Sequence, residues 1–331
     1  MNILYAIQAT GNGHISRAGQ LLPHLNKYGK VDTFLSGGNS TLEPNFEVKY
    51  RSPGLSLYYG KCGKLSYLDC VRKNYFIKAF KMAKELPVEK YDVVINDFEY
   101  ITSKACILKN IPSVHFGHQA SFASENTPRP SNKSILGEYI LKNYTKSSFN
   151  LGLHFDKYDD FIFPAVIKDE ILQAEPKDLG YITIYLPSVK IDCILEQLKS
   201  LKYLSFQWFS HEISTIKKEG NITFFPIDNK LFTRSLIACH GLITGGGFET
   251  PSEALFLKKK LLCIPINNQY EQQCNGAALK KLGVSVIDDF DAKNFSKYVV
   301  DWIHLPDGHI QIKSNDIDST LDYMFKNYPK S

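Results

Sequence analysis

The chain has 331 residues, enough for about two domains. Apolar residues make up 44% and charged residues 22%, proportions that exclude intrinsic disorder, a collagen-like rod and a disulfide-stapled miniprotein. The net charge of +5 resides wholly in the first half: residues 1–165 hold 20 Lys and Arg against 14 Asp and Glu, and residues 166–331 hold 19 against 20.

The N-terminus, MNILYAIQATGNGH, has no basic n-region and no small-residue cleavage site, so it reads as a strand (2–7) rather than a signal peptide. A helical segment is expected at about 14–27, then a strand at 31–35. Residues 66–86 fit one long amphipathic helix, with Leu68, Val71, Tyr75, Phe76, Ala79, Met82 and Ala83 near one face. Strand 92–96, a helix at about 100–109 and strand 112–116 follow. The pattern then resets: an apolar run at 161–167, a polar stretch to about 180, and strands at 181–186, 204–209, 222–226, 241–244, 261–266 and 284–287. Helices are expected among them at about 189–201, 248–258 and 270–282.

Alternating strands and helices with Val- and Ile-rich strands predict an α/β protein with parallel sheets covered on both faces. The predicted organisation is two doubly wound, Rossmann-like halves, 1–165 and 166–311, and a C-terminal helix within 312–331 that packs back on the first half. Ligands are then expected beyond the carboxyl ends of the strands, in the cleft between the halves. No apolar run reaches about 18 residues, so no bilayer-spanning helix is expected. Seven cysteines (Cys62, Cys70, Cys106, Cys193, Cys239, Cys263, Cys274) without a CxxC read as reduced, mostly buried thiols of a cytoplasmic protein, not as zinc ligands or a disulfide framework.

Four motifs carry chemistry. TGNGHISR (10–17) follows the first strand and opens a helix. Gly11 and Gly13 suit a tight turn and close ligand approach, and free N–H groups at the helix start favour an anion. Ser16 stands where the dinucleotide fingerprint needs its third glycine, which disfavours an NAD site. His14 can take a proton from an attacking hydroxyl; its bland alternative is a loop-shaping hydrogen bond. Arg17 suits a phosphate or carboxylate, or an acidic neighbour.

INDFEY (95–100) places Asp97 and Glu99 at a strand's carboxyl end, on one side if the strand continues. Paired carboxylates there orient His14, bind sugar hydroxyls or act as base; alternatively Asp97 caps the next helix. HFGHQASF (115–122) brings His118 and Gln119 to another strand end; no acidic or cysteine partner at useful spacing supports a metal.

The segment 243–279 is the most informative. Gly245, Gly246 and Gly247 end a strand before a helix with Pro near its start, an arrangement that offers N–H groups and a helix dipole to a diphosphate. Glu253 on the first turns is a bidentate acceptor suited to a ribose cis-diol. Asn267, Asn268, Gln269, Gln272 and Gln273 supply amides suited to sugar hydroxyls, or to an ordinary helix surface.

The 243–279 segment resembles the donor-binding region of GT-B glycosyltransferases, and is closest in style to glycosyltransferase family 28, which includes the enzyme adding N-acetylglucosamine to the peptidoglycan lipid precursor. GNGHISR, DFE at 97–99 and HQ at 118–119 add to the resemblance, which spans both halves. It implies a GT-B fold and transfer of a sugar from a nucleotide-sugar, UDP-linked, to a hydroxyl of a cell-envelope or lipid-linked acceptor, with inversion and without a metal or cofactor. Under it, Gly245, Gly246, Gly247, Phe248, Glu249 and Thr250 bind the diphosphate and Glu253 the ribose. Gln269, Gln272 and Gln273 line the donor sugar. His14, with Asp97 and Glu99, is catalytic, and Gly11, Asn12, Gly13, Arg17, His118 and Gln119 lie on the acceptor side. The loop before Gln272 reads NNQYE instead of that family's basic and acidic stretch, which leaves the donor sugar open.

Two further expectations follow. The basic 66–86 segment either lies on an anionic membrane from the cytoplasmic side or is a core helix with a solvated face. Nucleic acid is disfavoured as a partner, because the second half is slightly acidic and no known module occurs. The rival functions are a non-hydrolysing sugar-nucleotide 2-epimerase and a non-catalytic sugar-nucleotide-binding subunit.

Overall fold

The structure, a computed structural model, describes residues 1–38, 40, 42–56, 58, 66–306 and 310–328. Its first half contains β1 (Asn2–Gln8), α1 (Asn12–Leu25), β2 (Lys30–Ser36), β3 (Tyr50–Ser52), α2 (Tyr67–Lys73), α3 (Phe76–Glu85), β4 (Val93–Asp97), α4 (Tyr100–Lys109), β5 (Val114–Gly117), α5 (Ile135–Asn143), β6 (Phe149–His154) and β7 (Ile162–Pro164). The strands form one parallel sheet in the order β3-β2-β1-β4-β5-β6-β7. Winding reverses between β1 and β4, whose carboxyl ends therefore flank an open crevice.

The short α6 (Asp169–Leu172) leads into the second half: β8 (Tyr181–Tyr185), α7 (Ile191–Ser200), β9 (Ser205–Phe209), β10 (Lys217–Glu219), β11 (Ile222–Phe225), α8 (Asn229–Ala238), β12 (Gly241–Gly245), α9 (Glu249–Phe256), β13 (Lys260–Ile264), α10 (Tyr270–Lys281), β14 (Ser285–Val286) and α11 (Phe295–Ile303). Its sheet, β10-β11-β9-β8-β12-β13-β14, is parallel except for the β10–β11 hairpin. Here the winding reverses between β8 and β12. The chain then returns to the first half as α12 (Ile317–Asn327).

Apolar strand residues explain the layering. Ile3, Tyr5 and Ile7 of β1 point to one face and Leu4 and Ala6 to the other, all fully buried. One apolar cluster runs unbroken from that first face through Ala165, Val166, Ile167 and Ile171 to Phe248, Leu255 and Leu261 of the second half. The α12 helix joins it with Leu321 and Met324, and Tyr28 stacks on Phe325 at 4.2 Å. The Tyr328 hydroxyl donates to Pro112 O (2.6 Å) and accepts from Val94 N (3.1 Å) in β4.

Two expectations need correction. Residues 66–86 are not one helix. Asn74 ends α2 by bonding Cys70 O (2.7 Å) and both the N–H (2.7 Å) and C=O (2.8 Å) of Ser56, so α3 starts afresh. The expected apolar face holds only in part: Ala79 and Ala83 are buried and Met82 packs against the core, but Leu68, Tyr75 and Phe76 are exposed, as is Ile77 outside that face. The side chain of Val71, and the whole of Cys62, lie outside the described residues. The other six cysteines form no disulfide.

Candidate active site

The crevice of the first half is built by α1 and by the chain just after β4. Gly11 is extended (φ −167°, ψ 166°) with nothing within 4 Å of where a Cβ would stand, so close packing demands glycine only at Gly13. A side chain at Gly13 would run into the Glu249 carboxylate of the opposite half. The α1 N-terminus has no side-chain cap, which leaves its first N–H groups toward the cleft.

His14, at the start of α1, has its Nδ1 3.0 Å from Asp97 Oδ1. One turn on, the buried Arg17 guanidinium donates from Nη2 to both Asp97 oxygens (2.8 Å each) and from Nε to Oδ2 (3.3 Å). Its Nη1 pairs with Glu249 at the start of α9. Burial alone would raise the Asp97 carboxyl; Arg17 and His14 outweigh it and hold its pKa at about 2. Burial pulls His14 down, and the Asp97 carboxylate outweighs that, leaving the imidazole above its ordinary value. Arg17 Nη2 also lies 3.0 Å from His14 Nδ1, so that atom sits between Asp97 and Arg17; where Nδ1–H donates to Asp97, Nε2 carries the basic lone pair.

Glu99 does not join them, contrary to the expected carboxylate pair. Phe98 takes a left-handed conformation (φ 55°), so the strand does not continue and the two side chains diverge. The fully buried Glu99 caps α4 by accepting from Ile101 N (2.8 Å) and Thr102 N (2.6 Å). The capping role considered for Asp97 thus belongs to Glu99.

Across the cleft, α9 also starts without a side-chain cap. Asn12, Gly13 and Ser16 of α1 and Glu249, Thr250 and Glu253 of α9 line one pocket. Its remaining walls are Leu42, Tyr185 at the end of β8, Phe209 at the end of β9, Ile227 and Asp228 just before α8, Asn229 and Phe232 on α8, and Lys168 from the linker. Phe232 packs on Tyr185 (5.2 Å) and Phe209 (5.3 Å). Glu253 is buried and ion-paired with Lys168 Nζ (3.1 Å); burial outweighs that pairing and raises its carboxyl. The pocket thus joins two uncapped helix starts and an apolar wall, suited to an anionic centre and a flat ring, with the carboxylates Asp228, Glu249 and Glu253, the last paired with Lys168.

Within the glycine loop, the Gly246 backbone is already engaged. Gly246 N–H donates to Gln272 Oε1 (3.0 Å), which also accepts from Ile266 N (3.0 Å), and Asn275 Nδ2 donates to Gly246 O (2.9 Å). The Gln272 amide oxygen therefore braces the loop instead of facing a sugar. A Cβ at Gly246 would approach Gln272 O to 2.8 Å, so that residue must be glycine. Gly245 and Gly247 are half-buried beside it. Gln269 accepts from Gln272 N (2.5 Å) as the cap of α10, and Gln273 is half-buried on the first turn.

His118 and Gln119 are buried bridges between the halves, not open cleft residues. His118 Nε2 lies 2.7 Å from Asn275 Oδ1, its Nδ1 lies 3.0 Å from Leu153 O, and its ring stacks on Phe248 at 4.1 Å. Gln119 Nε2 donates to Glu271 (3.0 Å), and Tyr270 OH to Glu138 (2.8 Å). Among the described residues no group of three or more His, Cys, Asp or Glu is arranged to hold a metal ion. Sequence reasoning missed Lys168, Tyr185, Phe209, Phe232 and Asn275. The aromatic ends of β8 and β9 carried a usable signal, since strand carboxyl ends face the ligand in such sheets; Lys168 and Asn275 carried none.

The chain belongs to Glycosyl transferase family 1, whose model matches residues 1–302. No curated protein matches it. Among solved structures, a glycosyltransferase of kitacinnamycin is similar over 99% of both chains at 13% identity, with a TM-score of 0.60. MurG of Acinetobacter baumannii is 13% identical over 98% of this chain and 99% of its own, with a TM-score of 0.54. A UDP-N-acetylglucosamine 2-epimerase is 12% identical over 100% of this chain and 99% of its own, with a TM-score of 0.55. The fold is therefore GT-B, two Rossmann-like halves facing a cleft, and the protein is a glycosyltransferase.

Proposed function

We propose that the protein transfers a sugar from a UDP-sugar to a hydroxyl of a cell-envelope or lipid-linked glycan, with inversion and without a metal. The observation that carries this reading is the His14–Asp97 pair, set beside a pocket bounded by two uncapped helix starts. His14 Nε2 takes the acceptor hydroxyl proton as the oxygen attacks the anomeric carbon. The bond from that carbon to the diphosphate breaks, and the electron pair leaves with UDP. The α1 and α9 N-termini and Lys168 face the charge that develops on the diphosphate. Glu253 accepts from the ribose hydroxyls, and Phe209, Ile227 and Phe232 seat the base.

The choice of UDP and of a lipid-linked acceptor rests on the family 28 resemblance, with similar folds in MurG and a UDP-sugar enzyme as support. The exposed apolar residues of α2 and α3 lie among Arg72, Lys73, Lys78, Lys81 and Lys84, which suits peripheral contact with anionic lipid at the cytoplasmic face. The 2-epimerase reading is the rival with a similar solved fold. It needs acid–base groups on both faces of the sugar, and Glu99 is committed to the α4 cap.

A thermal-shift panel of UDP, GDP, ADP and dTDP tests the donor. Only a ligand bound by the native state raises the midpoint, and UDP is expected to raise it most. A larger rise with another nucleotide replaces UDP, and no rise with any overturns the donor assignment. Incubation with the UDP-sugar alone separates the rival, because an epimerase converts it without an acceptor.

A further inference from the structure

His14, Asp97, Arg17 and Glu249 form one chain of contacts that crosses the cleft, and only its last member belongs to the second half. Arg17 is buried and shared: one edge of its guanidinium faces Asp97 and Nη1 faces Glu249. Glu249 opens α9, its carboxylate lies against Gly13, and its side chain keeps 21% of its surface exposed. The contact therefore joins the two halves directly.

We propose that Glu249 is a positioning residue that makes the basicity of His14 depend on closure of the cleft. With the halves apart, the Arg17 cation is shared with no second carboxylate. It then cancels much of the Asp97 charge felt by the imidazole. Closure adds the Glu249 carboxylate to the same guanidinium, so Asp97 acts on His14 with less opposition and Nε2 becomes the stronger base. The groups that face His14 are Asp97 from β4, Arg17 from its own helix and Glu249 from α9; Tyr5 of β1 and His115 of β5 lie around the same Arg17–Asp97 pair. Burial holds His115 at about 4 and keeps the Tyr5 phenol protonated, so neither changes charge near neutrality. A base that strengthens only when the donor-side helix has arrived is idle while water still fills the cleft.

This inference extends the reading of His14 as the base, and its test does not depend on turnover alone. The imidazole of His14 is titrated by NMR in the wild type and in Glu249→Gln, Glu249→Asp and Asp97→Asn, with His14→Gln to assign the signal. Removing the Glu249 charge is expected to lower the His14 pKa by about 0.5–1 unit. The acidic limb of the kcat/KM–pH profile should move down with it. Glu249→Asp keeps the charge and should titrate near the wild type; Asp97→Asn should shift more than Glu249→Gln. An unchanged His14 titration in a folded Glu249→Gln, beside a lowered one in Asp97→Asn, overturns the gating and leaves the dyad standing. Full turnover in His14→Ala would instead overturn the base, whatever the titrations show.

Discussion

Asp97 and Glu99 stand two residues apart in sequence and do different work. One is gripped by Arg17 and His14, the other by the backbone of α4. Nothing in INDFEY announces the left-handed Phe98 that separates them, because a non-glycine residue there is stabilised by its surroundings and not by its own preference. The substitutions should separate accordingly. His14→Ala is expected to cut turnover by about 10²–10⁴, with Asp97→Asn lowering it in the same direction. Glu99→Ala should keep turnover and cost about 0.5–2 kcal/mol of stability, the worth of a helix cap, read as a lower urea midpoint. Loss of turnover in a folded Glu99→Ala protein would return Glu99 to the chemistry. The amides of NNQYEQQ were legible as polar but not as structural. Gln272 spends its oxygen on Ile266 N–H and on Gly246 N–H, 26 residues away in the chain, and Gln269 spends its own on Gln272 N–H as a helix cap.

Most strands could be read from their apolar runs, and the exceptions have physical causes. β6 reads FNLGLH, where Asn150 and Gly152 interrupt the run; Gly152 is needed because a Cβ there would approach the Ser121 backbone to 2.7 Å. The α2–α3 segment showed helical periodicity, but Asn74 bonds Ser56 across a gap in sequence that periodicity cannot see. The break leaves Leu68, Tyr75, Phe76 and Ile77 uncovered beside five basic residues. Sedimentation with vesicles checks their use: the protein is expected to pellet with acidic lipid more than with neutral lipid, and Ile77→Glu should reduce that recovery. Equal recovery with both lipids would remove the membrane from the proposal.

For the whole molecule, the reset of the βα pattern after residue 160 was enough to give two doubly wound halves. It could not give their contact, because Phe248, His118 and Asn275 meet through packing of distant elements. Nor did it show how deeply the end of the chain is tied in. Tyr328 closes on Val94 N and Pro112 O, so the tail is anchored to β4, the strand that ends at Asp97. Tyr328→Phe removes the hydroxyl from two backbone groups and should cost about 1–3 kcal/mol in chemical denaturation. An unchanged midpoint would show the tail to be decorative.

The chain crosses between the halves twice, and the crossings are stitched together. Asn315 N donates to Ala165 O (2.8 Å), its side chain donates to Pro164 O (2.9 Å), and Ala165 pairs in parallel with Ser314. A single tether would let one half swivel like a ball on a string. Two tethers laced side by side act as a leaf spring, compliant in one direction and stiff against twist and sideways slip. In the proposed closure, the doubled crossing guides the Glu249 carboxylate back to the same guanidinium.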